Sequence, residues 1–222
     1  MIMPETIIRH ASKTAITLMA FAIVFTTCMA FVYQVTKSPI EQSEAAARMS
    51  LFRQIMPEHL HDNDLLQDTI ELPPDALLGT TQPTVANIAR VQGQPSAIIL
   101  EAIAHDGYSG DIKLLLAIEA DGTLNGVRVI THKETPGLGD YIDIAKNNWI
   151  KLFDGQSLNN GKDGDWRVKK DGGKFDYMVG ATITPRAVVA AVHKALQYVE
   201  QHKQTLFVAQ VDDQHNAPME KP

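Results

Sequence analysis

Hydrophobic positions fall into three regimes along this chain. Ala15 through Val35 form a run of 21 residues without a charged side chain. At about 1.5 Å of rise per residue such a run crosses the roughly 30 Å hydrocarbon core of a bilayer as a helix. A second helix is predicted directly after it. Ser38-Pro39-Ile40-Glu41 has the form of a capping box with proline at the first helical position; Ile40, Ala47, Leu51 and Ile55 then share a face until Pro57. The pattern next changes to short apolar runs broken by glycine-rich turns. Residues 87–91, 97–104, 112–118 and 124–132 read as strands, separated by Gln92-Gly93-Gln94-Pro95, Asp106-Gly107-Tyr108-Ser109-Gly110 and Asp121-Gly122. Residues 140–153 read as helical and 166–169 as a further strand. From Pro185 to about Lys203, Val188, Val192, Ala195, Leu196 and Val199 fall on one helical face, with Thr184 as N-cap.

The predicted fold class is α+β: a single transmembrane helix over 15–35, then a curved, mostly antiparallel sheet packed by helices. The expected organisation is an N-terminus over 1–14, a stalk helix and linker over 37–84, a domain over 85–205 and a disordered tail over 206–222.

Charge orients this arrangement. Arg9 and Lys13 precede the apolar run against one Glu5, whereas Glu41 and Glu44 soon follow it, so the positive-inside bias puts the N-terminus in the cytoplasm. Beyond residue 14, 18 basic residues face 25 acidic ones, a net charge of −7 that disfavours nucleic acid as a partner. A cleaved signal peptide is the competing reading, with Cys28-Met29-Ala30 as cleavage site, but the apolar run continues to Val35 and favours a retained anchor. Cys28 is the only cysteine, so this chain alone forms no disulfide, thiolate-rich zinc site or iron–sulfur cluster. His59, His61, Asp62 and Asp64 lack a second ligand group and read as solvated surface; no metal site is expected.

The chemistry concentrates in Asp176-Tyr177-Met178-Val179-Gly180-Ala181-Thr182, followed by Ile183-Thr184-Pro185-Arg186. A threonine on a small Gly-Ala turn precedes a helix start, where backbone N–H groups lack partners and the dipole favours an anion. That is a place for a phosphate, although residue types alone are equally those of a plain turn. The stretch resembles the flavinylation motif of the FMN-binding domain family, Asp-x-x-Ser/Thr-Gly-Ala-Thr. Asp176, Gly180, Ala181 and Thr182 match it, while Val179 stands where the family has Ser or Thr. The resemblance implies FMN joined through its phosphate to Thr182, placed there from FAD by a separate magnesium-dependent flavin transferase. Thr184 is the second hydroxyl that the turn offers.

About forty residues earlier, Glu134-Thr135-Pro136-Gly137-Leu138-Gly139 resembles the loop that lies against the flavin in the same family. The proline and two glycines fix a tight loop whose backbone can approach a flat ring, with Glu134, Thr135, Gly137, Leu138 and Gly139 as the implied contacts. Gly107-Tyr108-Ser109-Gly110 is similar to a third family element. Tyr108 is either a stacking partner for the ring or the cap of a hairpin.

One N-terminal span, the chain's length and the run from Gly180 to Val189 most resemble the G subunits of Rnf electron transport complexes. The resemblance implies a membrane-anchored electron carrier, in a complex of further membrane subunits that links ferredoxin and NAD redox chemistry to ion translocation. It further implies an inner-membrane location, with the domain on the periplasmic side. Two other classes stay open on sequence. One is the C subunit of the sodium-translocating NADH:quinone reductase, usually longer than this chain; the other is a stand-alone extracytoplasmic flavin or ligand-binding sensor.

Overall fold

The structure is a computed structural model describing residues 4–160 and 162–208. It divides into two compact units, one through Arg48 and one from Met49 onward. The first is helix. Helix α1 spans Pro4–Ile55 without a break and carries Pro39 inside it. Two helices divided at Ser38 were predicted; the structure has one. A proline costs one rung and crowds the preceding turn. Here the strong helix formers Ala45, Ala46 and Ala47 follow it, and the ladder resumes beyond the one missing rung. Side chains from Ile8 to Ile40 are exposed, including the apolar ones, and the helix is long and apolar enough to cross a membrane.

The second unit is built on a five-stranded antiparallel meander: β1 (Thr69–Leu72), β2 (Thr84–Val91), β3 (Gln94–Ala104), β4 (Ile112–Glu119) and β5 (Leu124–Thr131), paired in that order. Four of these are the predicted strands, two of them longer than expected at their N-terminal ends, and β1 is additional. The β2–β3 hairpin turns on Gln92 and Gly93, both with positive φ, the two-residue geometry that matches strand twist. Period-2 alternation then splits the sheet into two buried faces. Ile98, Leu100, Ala102, Leu114, Leu116 and Ile118 join the cluster that includes helix α2 (Ile183–Gln201) and the short α3 (Lys203–Leu206). Ala89, Ala97, Ile99, Leu115 and Ala117 lie under Phe52, Ile55, Met56 and Leu65.

That second face is where the last turns of α1 dock. Gly126 on β5 makes room for them, since a β-carbon there would meet Ile55 at 3.0 Å. Arg128 closes the helix end: its Nη2 donates to the Gln54 carbonyl at 2.9 Å and its Nε to Gln54 Oε1 at 3.2 Å, satisfying a carbonyl that has no partner within the helix. Residues 49–84, expected as stalk and linker, are therefore part of the folded unit, with Leu65, Leu72 and Leu78 buried.

Two further expectations fail for local reasons. Residues 140–153 form two 3₁₀ segments, Asp140–Ile142 and Asn148–Phe153, instead of one helix. Asp143 and Asn147 capture the N–H groups of Ala145 and Trp149 at 2.9 Å each, offering the backbone turns in place of helix rungs. Residues 166–169 form no strand; only Val168 makes a bridge, to Phe175, and Lys169–Asp171 coil into a 3₁₀ turn ended by left-handed Gly172. Of the expected tail, residues 206–208 are described, with Leu206 buried in α3; residues 209–222 lie outside the described residues.

Candidate functional site

Three connections converge at the start of α2: the β3–β4 loop 105–111, the loop 132–139 after β5, and the turn 178–182. They enclose a cleft of about 270 Å³. Tyr108, Glu134, Thr135, Leu138 and Gly139 line it from the first two loops; Gly180, Ala181 and Thr182 line it from the turn. Ile183 and Thr184 complete the wall; Thr184 was the second candidate acceptor in the sequence, whereas Ile183 was not singled out as a contact. Two of the residues singled out in the sequence, Gly137 and Asp176, do not line it.

The turn is pinned from behind. Ala181 N–H donates to the Met178 carbonyl at 3.1 Å, and Gly180 at the third position has φ 92°, a conformation strained for any residue with a β-carbon. Upstream, Trp149 Nε1 donates to the Asp176 carbonyl at 2.7 Å, and Met178 N–H donates to the Tyr141 hydroxyl at 3.3 Å. The Tyr141 and Trp149 rings meet edge to face at 5.5 Å, and burial pushes the Tyr141 hydroxyl above its ordinary pKa, keeping it neutral. Asp176 itself points to the surface, paired with Lys169.

Thr182 occupies the N-cap position of α2, but its side chain makes no capping hydrogen bond. The sequence had assigned capping to Thr184; the helix instead begins at Ile183, and Thr184 is buried inside its first turn. The Thr184 hydroxyl donates to Glu134 Oε2 at 2.5 Å. The two threonines thus separate by role: one hydroxyl is consumed in the interior, the other borders an open cleft. Beside it, the N–H groups of Ile183 and Thr184 belong to the first turn and have no partner within the helix, while Pro185 has no N–H to offer.

Glu134 is the brace of the site. It is 4 % exposed, accepts from Thr184 and, through Oε1, from Ser109 N–H at 3.0 Å, and so ties loop 105–111 to the base of α2. The following loop closes on itself: Leu138 and Gly139 N–H both donate to the Thr135 carbonyl, and Gly137 N–H donates to Asp140 Oδ1 at 2.7 Å. Its two glycines serve different needs. Gly137 takes φ 77° with open space around its missing β-carbon, whereas a β-carbon on Gly139 would lie 2.8 Å from Glu134 Oε2 and 3.0 Å from Thr184 Oγ1.

The donor set at the floor of the cleft suits a phosphate, with a hydroxyl, helix-start N–H groups and the positive end of the α2 dipole. The rim suits a flat apolar body: Tyr108 is 67 % exposed, Leu138 47 % and Ile183 46 %. At about 270 Å³ the cleft is smaller than pockets that swallow a drug-sized ligand, roughly 300–1,000 Å³. A phosphate-bearing cofactor with a flat ring fits these residues at one end and leaves part of itself outside.

This combination defines a flavin-mononucleotide-binding domain preceded in the chain by an apolar N-terminal helix, and comparison with known proteins agrees. The FMN-binding domain family matches residues 107–197, and the RnfG N-terminal region matches residues 1–55. The G subunit of an ion-translocating oxidoreductase complex from Vibrio cholerae is 47 % identical over 206 residues, 93 % of this chain and 94 % of that protein. Its counterpart from Pseudomonas aeruginosa is 46 % identical over 199 residues, 90 % and 93 % of the two chains, and that from Shewanella loihica 44 % over 205 residues, 92 % and 95 %. The chain belongs to the family of G subunits of ion-translocating oxidoreductase complexes.

Proposed function

We propose that this protein is a membrane-anchored electron carrier whose FMN is held covalently by a phosphoester to Thr182, within an assembly that couples electron transfer between ferredoxin and NAD to ion translocation. The observation that carries the reading is the Thr182 hydroxyl: at the helix start, uncommitted to capping, and bordering the cleft. Thr182 Oγ1 gains the bond to the flavin-side phosphorus and loses its proton; the pyrophosphate bond of FAD breaks, and AMP is what remains. A flavin transferase is the partner for that step. Bound FMN supplies reversible one- and two-electron chemistry.

The chain's own residues hold and shield. Thr182 and the N–H groups of Ile183 and Thr184 fix the phosphate end, Glu134 keeps the two loops closed over the floor, and Tyr108, Leu138 and Ile183 give the ring an apolar rim. A covalent tether suits a relay on the outer side of a membrane, where dissociated FMN would be lost. Electrons enter and leave through neighbouring membrane subunits, and no substrate is turned over by this chain alone. The charge bias around residues 15–35 favours a cytoplasmic N-terminus with the second unit across the membrane, which we read as the inner membrane and the periplasm of a bacterium. Relatedness to G subunits over nine-tenths of both chains weighs against the quinone-reductase C subunit and against a stand-alone sensor.

The test is expression with and without a flavin transferase, followed by in-gel flavin fluorescence. Fluorescence that survives denaturation only in the presence of the transferase is expected; a fluorescent band lost in Thr184→Ala but kept in Thr182→Ala contradicts the assignment.

A further inference from the structure

Both ring nitrogens of His105 face oxygen atoms. Nδ1 lies 2.9 Å from Asp111 Oδ1, and Nε2 lies 2.8 Å from the Gly79 carbonyl oxygen. A carboxylate and a carbonyl only accept, and a neutral imidazole has one N–H to give, so the arrangement is satisfied in full by the imidazolium alone. Its position in the fold gives this consequence. His105 and Asp111 stand just beyond Ala104↔Ile112, the last pair of the β3–β4 ladder, and close the base of the loop that carries Tyr108. Gly79 belongs to a turn fixed beside β3 by the Ile103 N–H bond to the Leu78 carbonyl. The loop's tip is held from the cleft, where Ser109 N–H donates to Glu134.

We propose that His105, as an imidazolium, is a positioning residue that sets Tyr108 at the mouth of the flavin cleft and makes the mouth sensitive to pH on its side of the membrane. The proposal rests on the FMN reading above for its functional meaning. The charged groups facing the ring are Asp111 and Asp106 on the loop and, from α2, Lys194, which lines the same small cavity. The hydrogen bond to Asp111, then the Gly79 carbonyl, then the charges of Asp111 and Asp106 raise the His105 pKa above its ordinary 6.5, with slight burial opposing. With the folded value raised, the brace is fully present below about 6.5 and is lost as pH rises through the folded value. At higher pH one of the two bonds goes, and the Tyr108 loop loosens.

The experiment is a pH titration of the full chain in detergent micelles by NMR, with ¹⁵N-labelled histidine and ring-labelled tyrosine. The His105 and Tyr108 signals are identified by their absence from His105→Gln and Tyr108→Phe. Expected are a His105 midpoint above 6.5, both ring nitrogens protonated on the acid side, and a Tyr108 signal that titrates with the same midpoint. That Tyr108 titration is lost in His105→Gln, and in Asp111→Asn the midpoint moves down toward 6.5. A His105 midpoint at or below 6.5, or a Tyr108 signal indifferent to it, overturns the proposal. Whole-protein mass reports flavin content separately, so an intact titration without attached flavin fails the FMN reading and leaves the brace standing.

Discussion

The two threonines of the acceptor segment separate attachment from stability, and replacing each by valine measures both. Valine keeps the shape and β-branching of threonine, so neither change opens a cavity. Thr184 is 1 % exposed and its hydroxyl donates to a carboxylate that is itself buried. Hydrogen bonds to charged groups contribute about 1.5–3 kcal/mol, and among the described residues Thr184→Val leaves the Glu134 carboxylate with the Ser109 N–H alone. A loss of about 2 kcal/mol is therefore expected. Thr182 is half-buried and makes no capping bond, so Thr182→Val falls within the roughly ±0.5 kcal/mol of ordinary surface changes. Denaturant unfolding of the second unit, followed by the fluorescence of buried Trp149 and Trp166, gives the stabilities; in-gel flavin fluorescence gives the attachment. Thr184→Val loses stability and keeps flavin, and Thr182→Val does the reverse. Equal destabilisation by the two changes, or a stable Thr184→Val protein, refutes the assignment of Thr184 as the interior anchor.

Gly126→Val forces a branched side chain against Ile55, so the docked end of α1 is overpacked at a cost of about 1–3 kcal/mol, readable as a lowered denaturant midpoint; an unchanged midpoint contradicts the close packing. Gly139→Ala pushes Glu134 and Thr184 apart, whereas Gly137→Leu meets open space and acts through its φ alone, at about 1–2 kcal/mol. Both keep the phosphoester, and the flavin spectrum and midpoint potential shift more in Gly139→Ala; the opposite order would assign ring contact to Gly137. A reporter that folds only outside the cytoplasm is active when fused after Thr205, and activity of a cytoplasm-only reporter there reverses the topology.

What the sequence disclosed follows from how locally each feature is encoded. Strands β2 to β5 carry apolar runs bounded by glycine turns, and both their existence and their order were readable. Strand β1 was not: Thr69 and Glu71 face solvent while Ile70 and Leu72 turn inward, but four residues hold only two such repeats, too short a pattern to stand out from the flanking linker. The 3₁₀ segments at 140–153 hold apolar residues at helical spacing; the decision against a helix lies in the Asp143 and Asn147 side chains, a competition that periodicity does not register. Pro39 misled in the other direction, because its tolerance depends on the helix around it. At the site, the loops were found by their resemblance to a family, and Thr182 by that and by its place before a helix. The Glu134–Thr184 contact spans fifty residues and carries no local signal. Nor does the His105 bridge, which joins two loops through a backbone carbonyl. Asp176 was legible as part of a motif, but its side chain turns outward to Lys169, and its backbone carbonyl does the positioning.

FMN joined to the Thr182 oxygen leaves its mass on one short peptide. Trypsin acting after Lys174 and Arg186 releases a single peptide from Phe175 to Arg186 that contains both Thr182 and Thr184. Tandem mass spectrometry of that peptide, from protein matured with the transferase, is predicted to show the mass of FMN less one water on the fragment ions that include Thr182, and to show Thr184 unmodified. The added mass on Thr184, or a peptide that carries none while the purified protein retains flavin, would contradict it.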